Sequence, residues 1–496
     1  MSTASQPSAT ERWTNDAGSS SSAAGGVNPA IIQLVLLVAI PFCLQSTEGE
    51  RLLSALIITT GLLAILSMSA ASGIFATLFY LIAMGHIRRL LISVFGYSGN
   101  DPFIAVPAIL SAYYFANLLI RRAIPRDTPL SKAVGIFLIV MVLGVFNPLQ
   151  GGLLVGLAGA LLYIGPVLWF YIGRLHVTPA VMRTLSFLFL AMSVFVALYG
   201  WKQQFLGLFQ FETDYIGYSH YNQILSGSTS RVFSTLNGFA EYAHVLAIGT
   251  VISFALVLRR NRLAVATFVL LFVAVLLTSS RGVVINAVTG CMIVWAVQGR
   301  STRSWLPRVV LAIVLGSVGT LWSLRGLQST AITQNKSASE LLGHTEEGRS
   351  DPLGKKSTGA GHLSMTFRGV GEGFTRPFGL GTGSTTLAAS KFGGEANGGA
   401  STEGDLGNSF VTWGFFGGFL YLYLFCRTLF DAAHNWNAMR DDSSLIALGI
   451  LTGLIGTWLN GGEYVIVFVI WLTIGFVDRQ TRIRLQMESQ RRRSAT

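Results

Sequence analysis

LNGFAEYAHVLAIGTVISFALVL, residues 236–258, runs straight into Arg259, Arg260 and Arg262. An apolar run of this length matches the roughly 20 residues an α-helix needs to cross a hydrocarbon core, and arginines just past its end mark a cytoplasmic connector. The same alternation recurs on both sides. Apolar runs near 29–45, 52–69, 70–86, 103–120, 132–149, 152–172, 184–200, 236–258, 263–279, 282–298, 308–324, 408–428, 444–460 and 463–478 predict fourteen membrane helices. The range is 12–14, because the second and third share one stretch broken only by SMSAASG and could form a long helix with a re-entrant piece. The fold class expected is therefore an all-α polytopic membrane protein.

Composition agrees. Of 496 residues, 51% are hydrophobic and 12% charged, against a charged share of about 25% in soluble domains. The net charge of +12 is spread over short connectors rather than gathered in one patch, which argues against nucleic acid and for membrane orientation. Counting from an inside N-terminus, Arg121, Arg122, Arg126, Lys132, Arg174, Arg183, Arg259, Arg260, Arg262, Arg300, Arg303, Arg308, Arg427 and Arg440 all fall on the cytoplasmic side, as does a tail ending in Arg491, Arg492 and Arg493. Arg88 and Arg89 are the exception: they fall outside, which points to a miscounted or interfacial helix, or else to an anionic ligand. Cys43, Cys291 and Cys426 sit in or beside apolar runs and read as packing residues.

The organisation expected is a disordered cytoplasmic N-terminus over 1–28, a helix bundle over 29–324, an extracytoplasmic loop over 325–405, further helices over 406–478 and a basic cytoplasmic tail over 479–496. No cleavable leader precedes the first apolar run, which reads as a retained helix. The loop is where the membrane pattern stops. Seventeen of its 81 residues are glycine, and its end reads GEGFTRPFGLGTGS (371–384), then GDLGNSFVTWGFFGG (404–418). Such a segment reads as a mobile cover with room for a site outside the bilayer.

Several motifs fall away. GRSDPLGKKS (348–357) has five residues between its glycines where a phosphate-binding loop has four, and GVGEGF (369–374) lacks a strand-to-helix context. The seven histidines show no metal-pair spacing, so no metal and no other cofactor is expected; His344 and His362 read as loop surface residues. What remains is a set of outward arginines, Arg231, Arg281, Arg368 and Arg376. They either pair with Glu241, Glu372, Glu403 or Asp405, or converge on an anion such as a pyrophosphate.

Four stretches in order, ALYGWKQQFLG (197–207), RVFSTLNGFAEYAHVL (231–246), LLTSSRGVVINAVTG (276–290) and R-PFGLGTG with GNSFVTWGFFGG (376–418), resemble the O-antigen ligase and Wzy-type polysaccharide polymerase family. The resemblance covers roughly residues 195–425. It implies a metal-independent, membrane-embedded class C glycosyltransferase of the bacterial inner membrane, taking glycan from an undecaprenyl-diphosphate carrier on the outer face. It further implies that Arg281 and Arg376 hold the leaving diphosphate, with Arg231 and Arg368 assisting. Where the family's ligases carry a histidine before the motif's Asn, this chain has Gly407 before Asn408. That departure favours a polymerase over a ligase and leaves Asp405 or Glu403 as the expected base. Asn408, Glu241, Tyr242 and Trp413 complete the expected substrate site, the aromatic residues as stacking surfaces for sugar rings. A flippase and a chain-length regulator are the expected partners. The competing readings are a transporter of lipid-linked oligosaccharide and a non-catalytic scaffold in an assembly complex.

Overall fold

A computed structural model describes residues 49–99, 101–219, 225–226, 229–278, 280–298, 358–393, 401–402, 404–459 and 463–495. The expected disordered terminus, the spans at 29–45 and 308–324, the loop up to residue 357 and Glu403 lie outside these residues. Among the described residues the regular structure is helical apart from one two-residue antiparallel ladder, β1 (Leu225–Ser226) with β2 (Thr229–Ser230). Eight helices are long and apolar enough to cross a membrane and four shorter apolar helices accompany them, in keeping with a multi-pass membrane protein.

The chain divides into two compact units, 1–79 and 80–496. In the first, α1 (Gly49–Met68) turns sharply into the start of α2 (Ala70–Phe95). SMSAASG makes this corner feasible: a Cβ on Gly73 would sit 2.6 Å from the Leu66 Cα. Two helices meeting at a corner, rather than one long helix, follow.

In the second unit the elements are α3 (Ala105–Ile120), α4 (Pro129–Val145), α5 (Leu153–Val167), α6 (Trp169–His176), α7 (Pro179–Trp201), α8 (Gln210–Ser219), α9 (Phe239–Leu258), α10 (Arg262–Leu277), α11 (Arg281–Ala296), α12 (Thr358–Thr375), α13 (Leu387–Phe392), α14 (Asp405–Met439), α15 (Asp442–Thr452) and α16 (Tyr464–Ala495). α9 and α16 are the innermost; Val245–Ala247 and Val465–Phe468 are fully buried. An apolar helix surrounded by other helices is apolar all round, as α9 is over residues 245–258 and α16 over residues 464–477.

Connectors that charge counting assigns to the same side bond to one another. At the expected inner end, Arg174 meets Asp478 at 2.6 Å and also pairs with Asp127, Arg482 meets Asp127 at 3.0 Å, and Asp431 receives Arg427 at 2.8 Å and Arg484 at 3.2 Å. At the other end Arg88 meets Asp101 at 2.6 Å and Asn237 at 2.8 Å, while Arg89 donates to Leu236 O at 2.7 Å and Ser234 O at 2.5 Å. The exceptional arginines are thus a structural clamp. They hold the RVFSTLN loop across α2 at Gly85, where an added Cβ would lie 2.3 Å from the Leu236 carbonyl.

Arg174 and Asp478 have side chains 2% and 0% exposed, so removing one partner strands a buried charge. Arg174→Ala is expected to cost about 3–5 kcal/mol, whereas Arg174→Met with Asp478→Leu recovers most of it. Thermal unfolding in detergent measures both, and an Arg174→Ala melting temperature equal to the parent's contradicts the assignment.

Candidate functional site

The described part of the expected outer loop is not a loose cover. Residues 358–375 form α12, and the PFGLGTGSTT stretch after it threads into the bundle, with Gly379 and residues 381–386 buried. The thread fits because α14 breaks at Gly414, whose φ of 68° and ψ of −163° suit glycine alone. The break frees two carbonyls of α14, which the thread takes up: Leu380 N donates to Val411 O at 2.8 Å and Gly381 N to Thr412 O at 2.9 Å. Thr382 then caps α4, through N to Gly144 O at 3.1 Å and Oγ1 to Met141 O at 2.6 Å. Gln150 Oε1 accepts from Gly383 N at 3.0 Å, and Asn147 donates to Gly379 O at 3.0 Å. Buried irregular backbone is tolerated only when its polar groups are satisfied in this way.

α12 packs along the first turns of α14. Gly369 and Gly373 allow this, since added Cβ atoms would meet Gly407 O at 2.9 Å and the Phe410 ring at 2.6 Å. Arg368 and Arg376 are both exposed, one on α12 and one just past its end. No carboxylate pairs with either among the described residues. Beside them Phe374 joins Phe410, Phe415 and Phe419 in an aromatic cluster with centroids 5.1–6.3 Å from the Phe374 ring. Phe367, Phe374, Phe378 and Phe416 are exposed. Guanidinium groups bordered by exposed aromatic surface suit an amphiphile with an anionic head.

The remaining expected site residues are mostly interior. Asp405 is buried: its Oδ2 accepts from Tyr421 Oη at 3.0 Å and also from Trp458 N. It therefore anchors the irregular chain after α15, a helix expected to continue to residue 460 but stopped at Thr452, before Gly453 and Gly456. Asn408 Oδ1 holds Thr402, at 2.7 Å to N and 3.0 Å to Oγ1. Glu241 ties the start of α9 to the start of α16, Oε1 accepting from Val465 N at 2.7 Å and Oε2 from Asn237 N at 3.0 Å. Trp413 donates to Thr382 Oγ1 at 3.1 Å against Phe137 and Tyr163, and Tyr242 packs on Gly200. Both rings are 3% exposed, so the expectation that they stack on sugars gives way to packing. Arg231 lies over the Phe239 ring at 4.5 Å, and desolvation pulls its guanidinium below the usual arginine range. Arg281 opens α11; its side chain and Glu403 lie outside the described residues.

Sequence reasoning passed over two groups. His244 and Glu463 meet beside Glu241, with His244 Nδ1 2.7 Å from Glu463 Oε2. His244 sits inside the quoted AEYAH stretch, but a lone histidine on an apolar helix has no spacing signal. Among the described residues no three side chains from His, Cys, Asp and Glu are placed to hold a metal.

The Asp405 geometry carries its own expectation. Asp405→Asn keeps an acceptor for Tyr421 and Trp458 and should retain the fold. Asp405→Ala leaves two buried donors unsatisfied, at about 1–3 kcal/mol each. Melting curves of the two variants check this, and equal losses would contradict it.

Comparison of the chain with protein-family profiles, with curated proteins and with solved structures returns no match.

Proposed function

We propose that this chain is a glycan polymerase of the bacterial inner membrane, moving a glycan from a polyprenyl-diphosphate carrier onto a growing lipid-linked polysaccharide at the outer face. The observation that carries the reading is that exposed Arg368 and Arg376 share α12 and its end with exposed Phe367, Phe374 and Phe378, along the first three turns of α14, where Phe416 is exposed too. Guanidinium forks match diphosphate oxygens bidentately and stabilise the charge that builds on a departing diphosphate. The phenylalanines supply an apolar path for the isoprenoid. Arg281 and Arg231 complete the anion site in this reading. A ligase acting on a terminal acceptor uses the same donor chemistry, and Gly407 is the feature that argues against it.

Two features favour transport instead. The break at Gly414 and the irregular stretch after α15 are the kind of interrupted helix that lines binding sites in transporters. Purified protein in vesicles with a lipid-diphosphate-linked oligosaccharide separates the two. A polymerase releases lipid diphosphate and lengthens the glycan, whereas a transporter moves the intact donor between leaflets with no bond made.

A further inference from the structure

Asp405 spends its Oδ2 on two structural donors, Tyr421 Oη and Trp458 N, and Glu403 lies outside the described residues, while a second buried proton acceptor, His244, sits close to Asp405. We propose that His244, oriented by Glu463, is the general base that deprotonates the acceptor hydroxyl, an inference that rests on the polymerase reading.

The tautomer follows from the contacts. Nδ1 of His244 lies 2.9 Å from Ala240 O and 2.7 Å from Glu463 Oε2, and both are acceptors. A bare ring nitrogen facing two acceptors is repelled, so the hydrogen sits on Nδ1 and the lone pair on Nε2. Among the described residues no hydrogen bond occupies Nε2. The labour is divided: the Ala240 carbonyl takes the Nδ1 hydrogen and with it fixes the tautomer, and the Glu463 carboxylate at 2.7 Å stabilises the imidazolium that forms.

The backbone holds the pair rigidly. Glu463 sits at the start of α16, its carbonyl accepting from Ile466 N at 3.1 Å and Val467 N at 3.2 Å, where the helix dipole favours an ionised carboxylate. Glu241, one turn before His244, fixes α9 to α16 through Val465 N. The side chains of His244 and Glu463 are each 6% exposed, which excludes bulk water from the proton transfer. Facing the imidazole are Glu463 and Asp405 from neighbouring elements and Glu241 from its own. Arg183, Arg262 and Asp442 stand at the far ends of the helices packed on α9.

In the step itself the acceptor O–H bond breaks and its proton goes to Nε2. The acceptor oxygen bonds to the anomeric carbon as the bond from that carbon to phosphate oxygen breaks. The electron pair leaves with the polyprenyl diphosphate, and the imidazolium returns its proton to water.

The test is steady-state turnover of a lipid-diphosphate-linked oligosaccharide by full-length protein in vesicles, across pH, with a melting curve for each variant. His244→Asn should lose about 10²–10⁴ in kcat, the range of a general base. Its donor KM should stay within threefold, and the fall in rate at acid pH should disappear. Glu463→Gln, a positioning variant, should lower kcat about tenfold at unchanged KM. Parental kcat and an intact acid limb in His244→Asn overturn the proposal. If His244→Asn does not fold, Glu463→Gln decides, and an unchanged kcat there overturns it. Failure of the parent to lengthen any glycan sinks the polymerase reading itself, an outcome distinct from a His244 variant as active as the parent.

Discussion

Arg368→Ala combined with Arg376→Ala is expected to lower kcat/KM for a lipid-diphosphate-linked donor by about 10³-fold, on the scale of losing preorganised donors to a developing anion. Each single variant should lose about 10²-fold. The pair should fall short of the product, because both groups serve one diphosphate. Both side chains are exposed and make no described ion pair, so melting temperatures should match the parent. Arg376→Lys tests the geometry rather than the charge: an ammonium keeps the attraction and loses the two-pronged contact, so it should recover only part of the activity. The measurement is glycan lengthening in vesicles at saturating and limiting donor. A double variant within threefold of the parent would remove α12 from the anion site and leave Arg231 and Arg281 as its carriers.

The helices were legible because crossing a bilayer demands length and apolarity, both of which are local properties of a sequence. The grouping of the connectors was legible too: the arginines that charge counting put on one side, from Arg174 to Arg484, pair with carboxylates at one end of the bundle. Arg88 and Arg89 broke the count for a reason no local pattern carries, since apart from Asp101 their partners, Ser234, Leu236 and Asn237, lie in the distant RVFSTLN loop. The PFGLGTG stretch misled in the opposite direction. Glycines that signal turns in an exposed loop equally permit a buried strand of chain to approach a broken helix, and the break at Gly414 becomes visible only once Val411 and Thr412 need partners. Trp413 and Tyr242 were legible as aromatic but not as interior. In a membrane protein the apolar periodicity that separates the two in a soluble helix is weak, because lipid-facing and core-facing residues are alike apolar.

Gly414→Ala should have the largest effect on the folded state. Its Cβ would stand 2.1 Å from Pro377 O, in a backbone region that carries a positive φ of 68°. Strain of about 1–3 kcal/mol arises from the backbone alone. Relief of the clash requires Pro377 to move, which pulls Leu380 and Gly381 off Val411 and Thr412 and leaves four buried backbone groups unsatisfied, each costing about 1–3 kcal/mol. The sum exceeds the margin by which most folds are stable, roughly 5–15 kcal/mol, or comes close to it. The expected result is protein that fails to purify as a single species in detergent. Gly383→Ala, whose Cβ would lie 2.2 Å from Val155 O, should behave alike, because it sits on the same thread. Gly371→Ala supplies the contrast: it lies in α12 with nothing within 4 Å of the added carbon, so it should melt at or slightly above the parent, by about 0.5–1 kcal/mol of helix stabilisation. A Gly414→Ala protein melting with the parent would mean that the thread is not held by the break in α14, and the anion site resting on that thread would lose its foundation.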